Sequence, residues 1–229
     1  MKISLLYIVI IFGNLVGPNL LAQVKQDKVT ELANEILKAR EFSNNLLSKY
    51  CWTSRVEILK LKEILNIMIE RNQYDLQGQL VKKILNEQSA KMPKAFLIRD
   101  IAESEKENIE KFLFGLRDFL QKYSLQETGQ VKRFIAAATW QVVDSTHEFM
   151  FKGRNVEEEG DQLTWMVEDV NYSTARIEVA TKFQGDDVHF TGTFIRLKNG
   201  LNYMAYAEAY IPSKNITLQL QNYDYLPDN

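Results

Sequence analysis

The sequence predicts an α+β fold in which amphipathic helices pack on one face of an antiparallel sheet. Before residue 139, three segments carry apolar residues at intervals of three and four, the period of a helix with one buried face. After Trp140, apolar and polar residues alternate in runs joined by short connections. Parallel strands would need crossover segments of about a dozen residues. These later runs therefore predict an antiparallel meander.

Residues 1–22 have the pattern of a secretory signal peptide. Lys2 supplies a positive start, residues 3–16 form an apolar run, and cleavage is expected after Ala22. The alternative, a transmembrane anchor, is disfavoured because the run is shorter than the roughly 20 residues of a helical span. We therefore expect a periplasmic or secreted protein.

The segments that follow predict one α+β domain, residues 23–229, which begins with a helix-strand-helix part over 23–138. A helix over 25–50 leads into strands at 52–60 and 63–73, although residues 57–69 also fit a helix. A turn over 74–79, in which Gly78 permits positive φ, precedes a strand over 80–85. Pro93 marks a linker over 91–94, and helices are predicted over 96–123 and 130–138.

The second part, residues 139–229, predicts the meander. Its strands are expected at 146–152, 162–168, 174–184, 187–197, 201–211 and 215–225. In the fifth of these strands, alternate positions carry Ala205, Ala207 and Ala209, which form a face of small residues. Such a face admits either a helix or a ligand, and a helix is favoured because the amphipathic helices need a sheet to cover.

Charge and motif content disfavour several functions. Lys and Arg number 28 against 30 Asp and Glu, without a basic block, which argues against a nucleic-acid partner. Cys51, the single cysteine, lies between Tyr50 and Trp52 and is expected to be a buried apolar side chain rather than a reactive thiol. No phosphate-binding loop or nucleophile elbow occurs, so we expect no enzyme and no cofactor.

Three polar features have a structural and a functional interpretation. His147 and His189 lack further ligands at metal-site spacing, so we expect solvated histidines and no metal. The acidic run 157–161 lacks the spacing of a calcium loop and is interpreted as an exposed hairpin tip. Asp186 and Asp187 follow Gly185 and are interpreted as turn residues rather than as an acid and base pair.

Two resemblances add to this interpretation. The runs LTWMVED (163–169), TARIEV (174–179) and QGD (184–186), with YDLQGQL (74–80) and QNYDY (221–225), resemble bacterial exported proteins of unknown function. The layout, an N-terminal helix leading into an antiparallel sheet with helices inside, resembles the lipoprotein-localisation (LolA/LolB-type) fold. That resemblance implies a sheet curved into a half-open barrel that holds acyl chains.

We therefore predict an exported, non-catalytic binding protein for a lipid-like or other apolar ligand in the cell envelope. The candidate pocket residues are large aromatic side chains on the predicted strands: Trp52, Trp165, Phe190, Phe194 and Tyr203. The alternative is a structural or protein-interaction module of the envelope, in which these side chains form a closed core. An enzyme ranks third. A binder should contain an apolar cavity of roughly 300 to 1,000 Å³.

Overall fold

In the computed structural model, which describes residues 18–89, 99–125 and 128–227, three helices and ten strands follow one another along the chain. The helices are α1 (Pro18–Leu47), α2 (Arg99–Gln121) and α3 (Thr128–Ala137). The strands are β1 (Tyr50–Lys60), β2 (Glu63–Tyr74), β3 (Leu80–Ser89), β4 (Thr139–Val143), β5 (Glu148–Arg154), β6 (Gln162–Glu168), β7 (Thr174–Phe183), β8 (Asp186–Arg196), β9 (Asn202–Ile211) and β10 (Ile216–Pro227).

All ten strands form one antiparallel sheet in the order β3-β2-β1-β10-β9-β8-β7-β6-β5-β4. The predicted meander runs from β4 to β10, and the hairpins β1–β3 extend it because β1 pairs with β10. In the described part of the chain β3 and β4 stay unpaired with each other, so the sheet is an open, curved half-barrel. The predicted fold class is confirmed.

The helices cover the inner face of this sheet. Apolar side chains of α1 and α3 meet strand residues in one buried cluster, whose fully buried members include Ile36, Val131, Phe151, Leu163 and Trp165. Phe134 of α3 packs against Trp165, with ring centroids 6.2 Å apart. These large side chains fill the space between the helices and the half of the sheet formed by β4–β8.

Most predicted elements are present, with three differences. The alternative that residues 57–69 form a helix is wrong, since β1 and β2 occupy them. The strand predicted over 80–85 continues to Ser89, and the short edge strand β4 was not predicted. The linker over 91–94 and the start of the predicted signal peptide lie outside the described residues. No described helix is both long and apolar enough to cross a membrane.

The expectation of an exposed acidic tip at 157–161 is wrong for Asp161. Its side chain is 1% exposed and accepts the backbone N–H groups of Val156, Glu157 and Glu158 at 2.6, 2.9 and 2.9 Å. The Tyr123 hydroxyl donates to the same carboxylate at 2.9 Å. Burial alone would raise the Asp161 pKa, but these hydrogen bonds outweigh it and lower the pKa. The β5–β6 connection thereby anchors the chain just after α2.

Replacing Asp161 with Asn should lower the free energy of unfolding by about 1–3 kcal/mol near neutral pH, because buried N–H donors lose an ionised acceptor. A carboxyl with a lowered folded pKa stabilises the protein above its unfolded pKa of about 4, and this contribution disappears as the pH falls through the folded pKa. As the pH falls from about 5 to about 2, the variant should therefore lose less stability than the wild type loses. Urea titrations at several pH values test this. Asp187→Asn, at an exposed carboxylate, is the control, and identical pH profiles for both variants would contradict the prediction.

Gly153 on β5 lets α3 approach the sheet. A Cβ at this position would lie 2.5 Å from Cε2 of Phe134, well inside normal contact distance. By contrast, a Cβ on Gly129 would have only the flexible Arg133 side chain nearby, at 3.3 Å.

Gly153→Ala should therefore lower the free energy of unfolding by about 1–3 kcal/mol, because the Phe134 ring must leave its site in the core. Gly129→Ala should leave stability unchanged or raise it by up to about 1 kcal/mol, since it only restricts the unfolded chain. Thermal or urea unfolding of both variants makes the comparison. Equal effects at the two glycines would show that the Phe134 contact does not limit the approach of α3.

Candidate functional site

An apolar groove lies between α2 and the inner faces of β1, β2, β9 and β10. Its volume is about 470 Å³, within the range of small-molecule sites. The α2 side contributes Leu113, Phe114 and Leu120, and the sheet contributes mainly Val56, Met68 and Leu218. The predicted apolar cavity is therefore present in the structure.

The floor of the groove depends on small residues and on a β-bulge. Ala207 and Ala209 face inward, opposite Gly192 and Phe190 of β8. The pairing register then shifts, so that Phe194 lies opposite Met204 and Ala205 is the extra residue. On the N-terminal side of Ala207 the predicted face of small residues is wrong, because the bulge reverses the alternation of inward and outward side chains. The alanines lie beneath a groove rather than beneath a tightly packed helix.

The mouth of the groove exposes apolar side chains to solvent. Ile84 of the edge strand β3 is 55% exposed, Leu80 is 38% exposed and Phe114 of α2 is 56% exposed. All three line the groove. Clustered exposure of large apolar side chains beside a cavity is typical of ligand or partner sites.

The polar side chains at the groove wall mainly bond to one another. The Asn72 amide donates to Ser54 Oγ at 2.7 Å, Ser54 donates to Asn222 Oδ1 at 2.5 Å, and the Asn222 amide donates to the Met204 carbonyl at 2.8 Å. This chain of bonds crosses four neighbouring strands, β2, β1, β10 and β9. Since its members satisfy one another, apolar contact is the main interaction that the groove offers to a ligand.

An ion pair connects α2 to the sheet across the groove. Arg117 donates to both carboxylate oxygens of Glu70 on β2, at 3.4 and 3.2 Å. The Glu70 side chain is 5% exposed and that of Arg117 is 23% exposed. Burial and the nearby Arg117 lower the pKa of Lys82, which lies at the same wall. The pair therefore holds the C-terminal part of α2 above the groove.

The five sequence-predicted pocket residues separate into three environments. Trp52 and Phe190 line the groove, whereas Phe194 and Tyr203 line a second pocket between α1 and the β8–β9 hairpin. Trp165 is fully buried in the core and donates its indole N–H to Thr174 Oγ1 at 3.1 Å.

An aromatic cluster joins the groove to the second pocket. Trp52 stacks on Tyr225 at a centroid distance of 5.6 Å, and Tyr225 contacts Tyr203 at 4.0 Å. Tyr74, which lines the second pocket, lies 5.8 Å from Trp52. Sequence reasoning missed Tyr74 and Tyr225 because the first was assigned to a turn and the second to the end of the last predicted strand. Burial raises the pKa of both phenols.

The other polar candidates do not converge on a site. Cys51 is buried, as expected, although Arg71 Nη2 lies 2.7 Å from its sulfur. His147 and His189 are both exposed. Asp186 is bonded by Ser213 and Lys214, which places it at the turn as expected. Within the described residues, no group of three or more His, Cys, Asp and Glu side chains is arranged to hold a metal ion.

Comparisons with known proteins concern the arrangement of the chain. No protein-family model matches the sequence, and no curated protein matches it significantly. A DUF1329 family protein from Desulfovibrio piger is similar in structure, with a TM-score of 0.45 and 8% identity over 87% of this chain and 93% of its own. A LolA superfamily protein from Nitrosomonas europaea gives a TM-score of 0.40 and 10% identity over 86% of this chain and 94% of its own. The second of these is of the family whose layout the sequence resembles.

Arg117→Met should lower the free energy of unfolding by about 2–3 kcal/mol, because the buried Glu70 carboxylate loses its cation. The double variant Glu70→Gln/Arg117→Met should be more stable than Arg117→Met alone, since no buried charge remains unpaired. Lys122→Met is the control, because the Lys122–Glu158 pair is about half exposed and contributes at most about 1 kcal/mol. Urea unfolding measures all three variants. An Arg117→Met effect no larger than that of Lys122→Met would show that the pair does not fasten α2.

Proposed function

We propose that this protein is an exported, non-catalytic binding protein that holds a lipid-like or other apolar ligand in the groove beneath α2. The observation that carries the proposal is the groove itself, an apolar cavity of about 470 Å³ that the protein's own helices leave open to solvent. A closed structural module would fill this space with its own side chains.

The energetics of the groove favour an apolar ligand. Leu80, Ile84 and Phe114 expose large apolar surfaces at its mouth. Each methylene group of a ligand buried there contributes about 0.8 kcal/mol. An alkyl chain that covers these side chains would therefore bind by removing both its own surface and theirs from water.

The polar chemistry of the groove supports binding rather than catalysis. Ser54, Asn72 and Asn222 bond to one another, and the Glu70 carboxylate is paired with Arg117. A catalytic base or nucleophile needs a free, reactive group at the cavity wall. We propose a location in the periplasm or outside the cell, which the signal pattern of residues 1–22 supports. The mature protein should then begin at Gln23, as N-terminal sequencing can test.

Native mass spectrometry of the protein purified from its own envelope, followed by organic extraction, tests the proposed function. A co-purifying acyl species, or uptake of added dodecanol or phospholipid, supports it. A clean protein mass with no uptake would overturn it. The alternative interaction module would then gain support from Val81 and Leu85, which are exposed on β3 outside the groove.

Ile84→Asn should weaken the binding of dodecanol about five- to tenfold, because one apolar side chain leaves the contact surface. The fold should be unaffected, since Ile84 is 55% exposed. Val81→Asn is the matched control, because Val81 is 44% exposed on the same strand but does not line the groove. Quenching or enhancement of tryptophan fluorescence reports binding, since Trp52 lines the groove. Equal affinities of the two variants would place the ligand elsewhere.

A further inference from the structure

A second pocket lies between the C-terminal half of α1 and the β8–β9 hairpin. Its volume is about 690 Å³, and it combines aromatic and polar side chains. One wall is fixed by a reciprocal pair of bonds, in which Ser43 Oγ donates to the Asn202 carbonyl at 2.8 Å and accepts the Asn202 N–H at 2.9 Å. The helix and the hairpin therefore hold a defined space between them.

The unusual group in this pocket is the part-buried guanidinium of Arg40. Its Nη2 donates to the carbonyls of Ser124 and Leu125 at 3.0 and 2.8 Å, and its charge lies over the Trp165 ring, 5.5 Å from the centroid. Among the described residues it has no carboxylate partner. Both protein bonds use Nη2, so the hydrogens on Nε and Nη1 have no acceptor among the residues that the structure describes.

The charges that line the pocket are predominantly positive. Lys38, Arg40 and Arg196 are basic, and Glu35 is the single acidic side chain among the lining residues that the structure describes. Glu35 is occupied by Lys38, whose Nζ lies 2.6 Å from its carboxylate. Arg196, like Arg40, has no ion pair within the described chain. Burial lowers the pKa of Arg40 to about 10, so the guanidinium remains charged near neutral pH.

We propose that the pocket around Arg40 binds an anionic group, a phosphate or a carboxylate, with Arg40 and Arg196 as its cationic ligands. A part-buried cation without a counter-charge is unfavourable, and an anion that completes its donor set relieves this cost. Guanidinium groups bind phosphate and carboxylate oxygens through paired, charge-assisted hydrogen bonds.

The anion has two chemical sources. Met204 and Ser124 line both the groove and this pocket, so an amphipathic ligand could place its alkyl chain in the groove and its head group beside Arg40. This source rests on the proposed function. A small free anion is the second source and needs no chain in the groove. Both sources require the same cationic chemistry.

The test compares dodecyl phosphate, dodecanol and inorganic phosphate on the full mature protein. Binding is measured by calorimetry for the wild type, Arg40→Gln and Arg196→Gln. The control is Arg154→Gln, at an exposed arginine outside both pockets. The Nε signal of Arg40, assigned by its loss in Arg40→Gln, is followed by NMR. Arg196→Gln changes an exposed side chain and keeps the test valid if Arg40→Gln fails to fold.

The head-group source predicts that the wild type binds dodecyl phosphate about 10- to 100-fold more tightly than dodecanol. Both variants should lose this preference while retaining their affinity for dodecanol, and Arg154→Gln should behave as the wild type. The free-anion source predicts that inorganic phosphate shifts the Arg40 signal and binds more weakly to both variants, without a preference for dodecyl phosphate. Either result supports the anion site.

Equal binding of dodecyl phosphate and dodecanol, with no effect of inorganic phosphate, would overturn the proposal and leave the apolar groove intact. An Arg40→Gln variant that melts earlier yet keeps the wild-type preference for the anion would also overturn it, since Arg40 would then only fasten residues 124–125. Phosphate binding at Arg40 without any dodecanol binding would instead contradict the carrier function and retain the anion site.

Discussion

The pairing of β1 with β10 is the constraint on which the candidate site depends. It joins residues from opposite ends of the chain, from the Tyr50–Pro227 pair to the Lys60–Ile216 pair. Through this pairing the hairpins β1–β3 become part of the same inner surface as the meander. Val56, Leu218 and Ala209 thereby face one space with α2 above it. Without the pairing, the groove would lose one entire wall.

The distribution of side-chain size across the sheet determines where the cavity lies. Under α1 and α3, large side chains such as Phe134, Phe151 and Trp165 fill the space between helices and strands. Beneath α2 the floor of the groove contains the small residues Ala207 and Ala209, which pair with Gly192 and Phe190 of β8. Since interiors are close-packed, a run of small residues leaves a cavity unless a helix moves inward. The Arg117–Glu70 pair and the anchored end of α2 hold the helix in place.

Local periodicity was sufficient to predict most of the elements, but long-range pairing determines the site. The strand at 162–168 was predicted correctly because its alternation is regular and both its connections are short. The β1–β10 contact has no local signal in the sequence. The bulge at Ala205 also changes which side chains of β9 face inward, whereas strict alternation predicts one inward face along the whole strand. Aromatic size predicted Trp165 as a pocket residue, yet size alone does not distinguish a filled part of the sheet from an open one. The role of Asp161 was missed because the donors to its carboxylate come from the backbone of the folded loop and from the distant Tyr123.

The two attachments of α2 differ in a way that bears on access to the groove. Just after its C-terminal end, Tyr123 is buried and bonds both Asp161 and Thr181 at 2.9 Å, so displacement there would leave several buried polar groups unsatisfied. About one turn before the end of α2, the Arg117–Glu70 pair has one partly exposed member, which water can reach without unfolding the core. Burying an ion pair returns little net stability because desolvation opposes attraction. Separating this pair, however, would leave the buried Glu70 carboxylate without its cation, so both attachments oppose a movement of the C-terminal turns of α2 away from the sheet. Access to the groove is therefore expected at its mouth, where Leu80, Ile84 and Phe114 are exposed, rather than beneath the anchored end of α2.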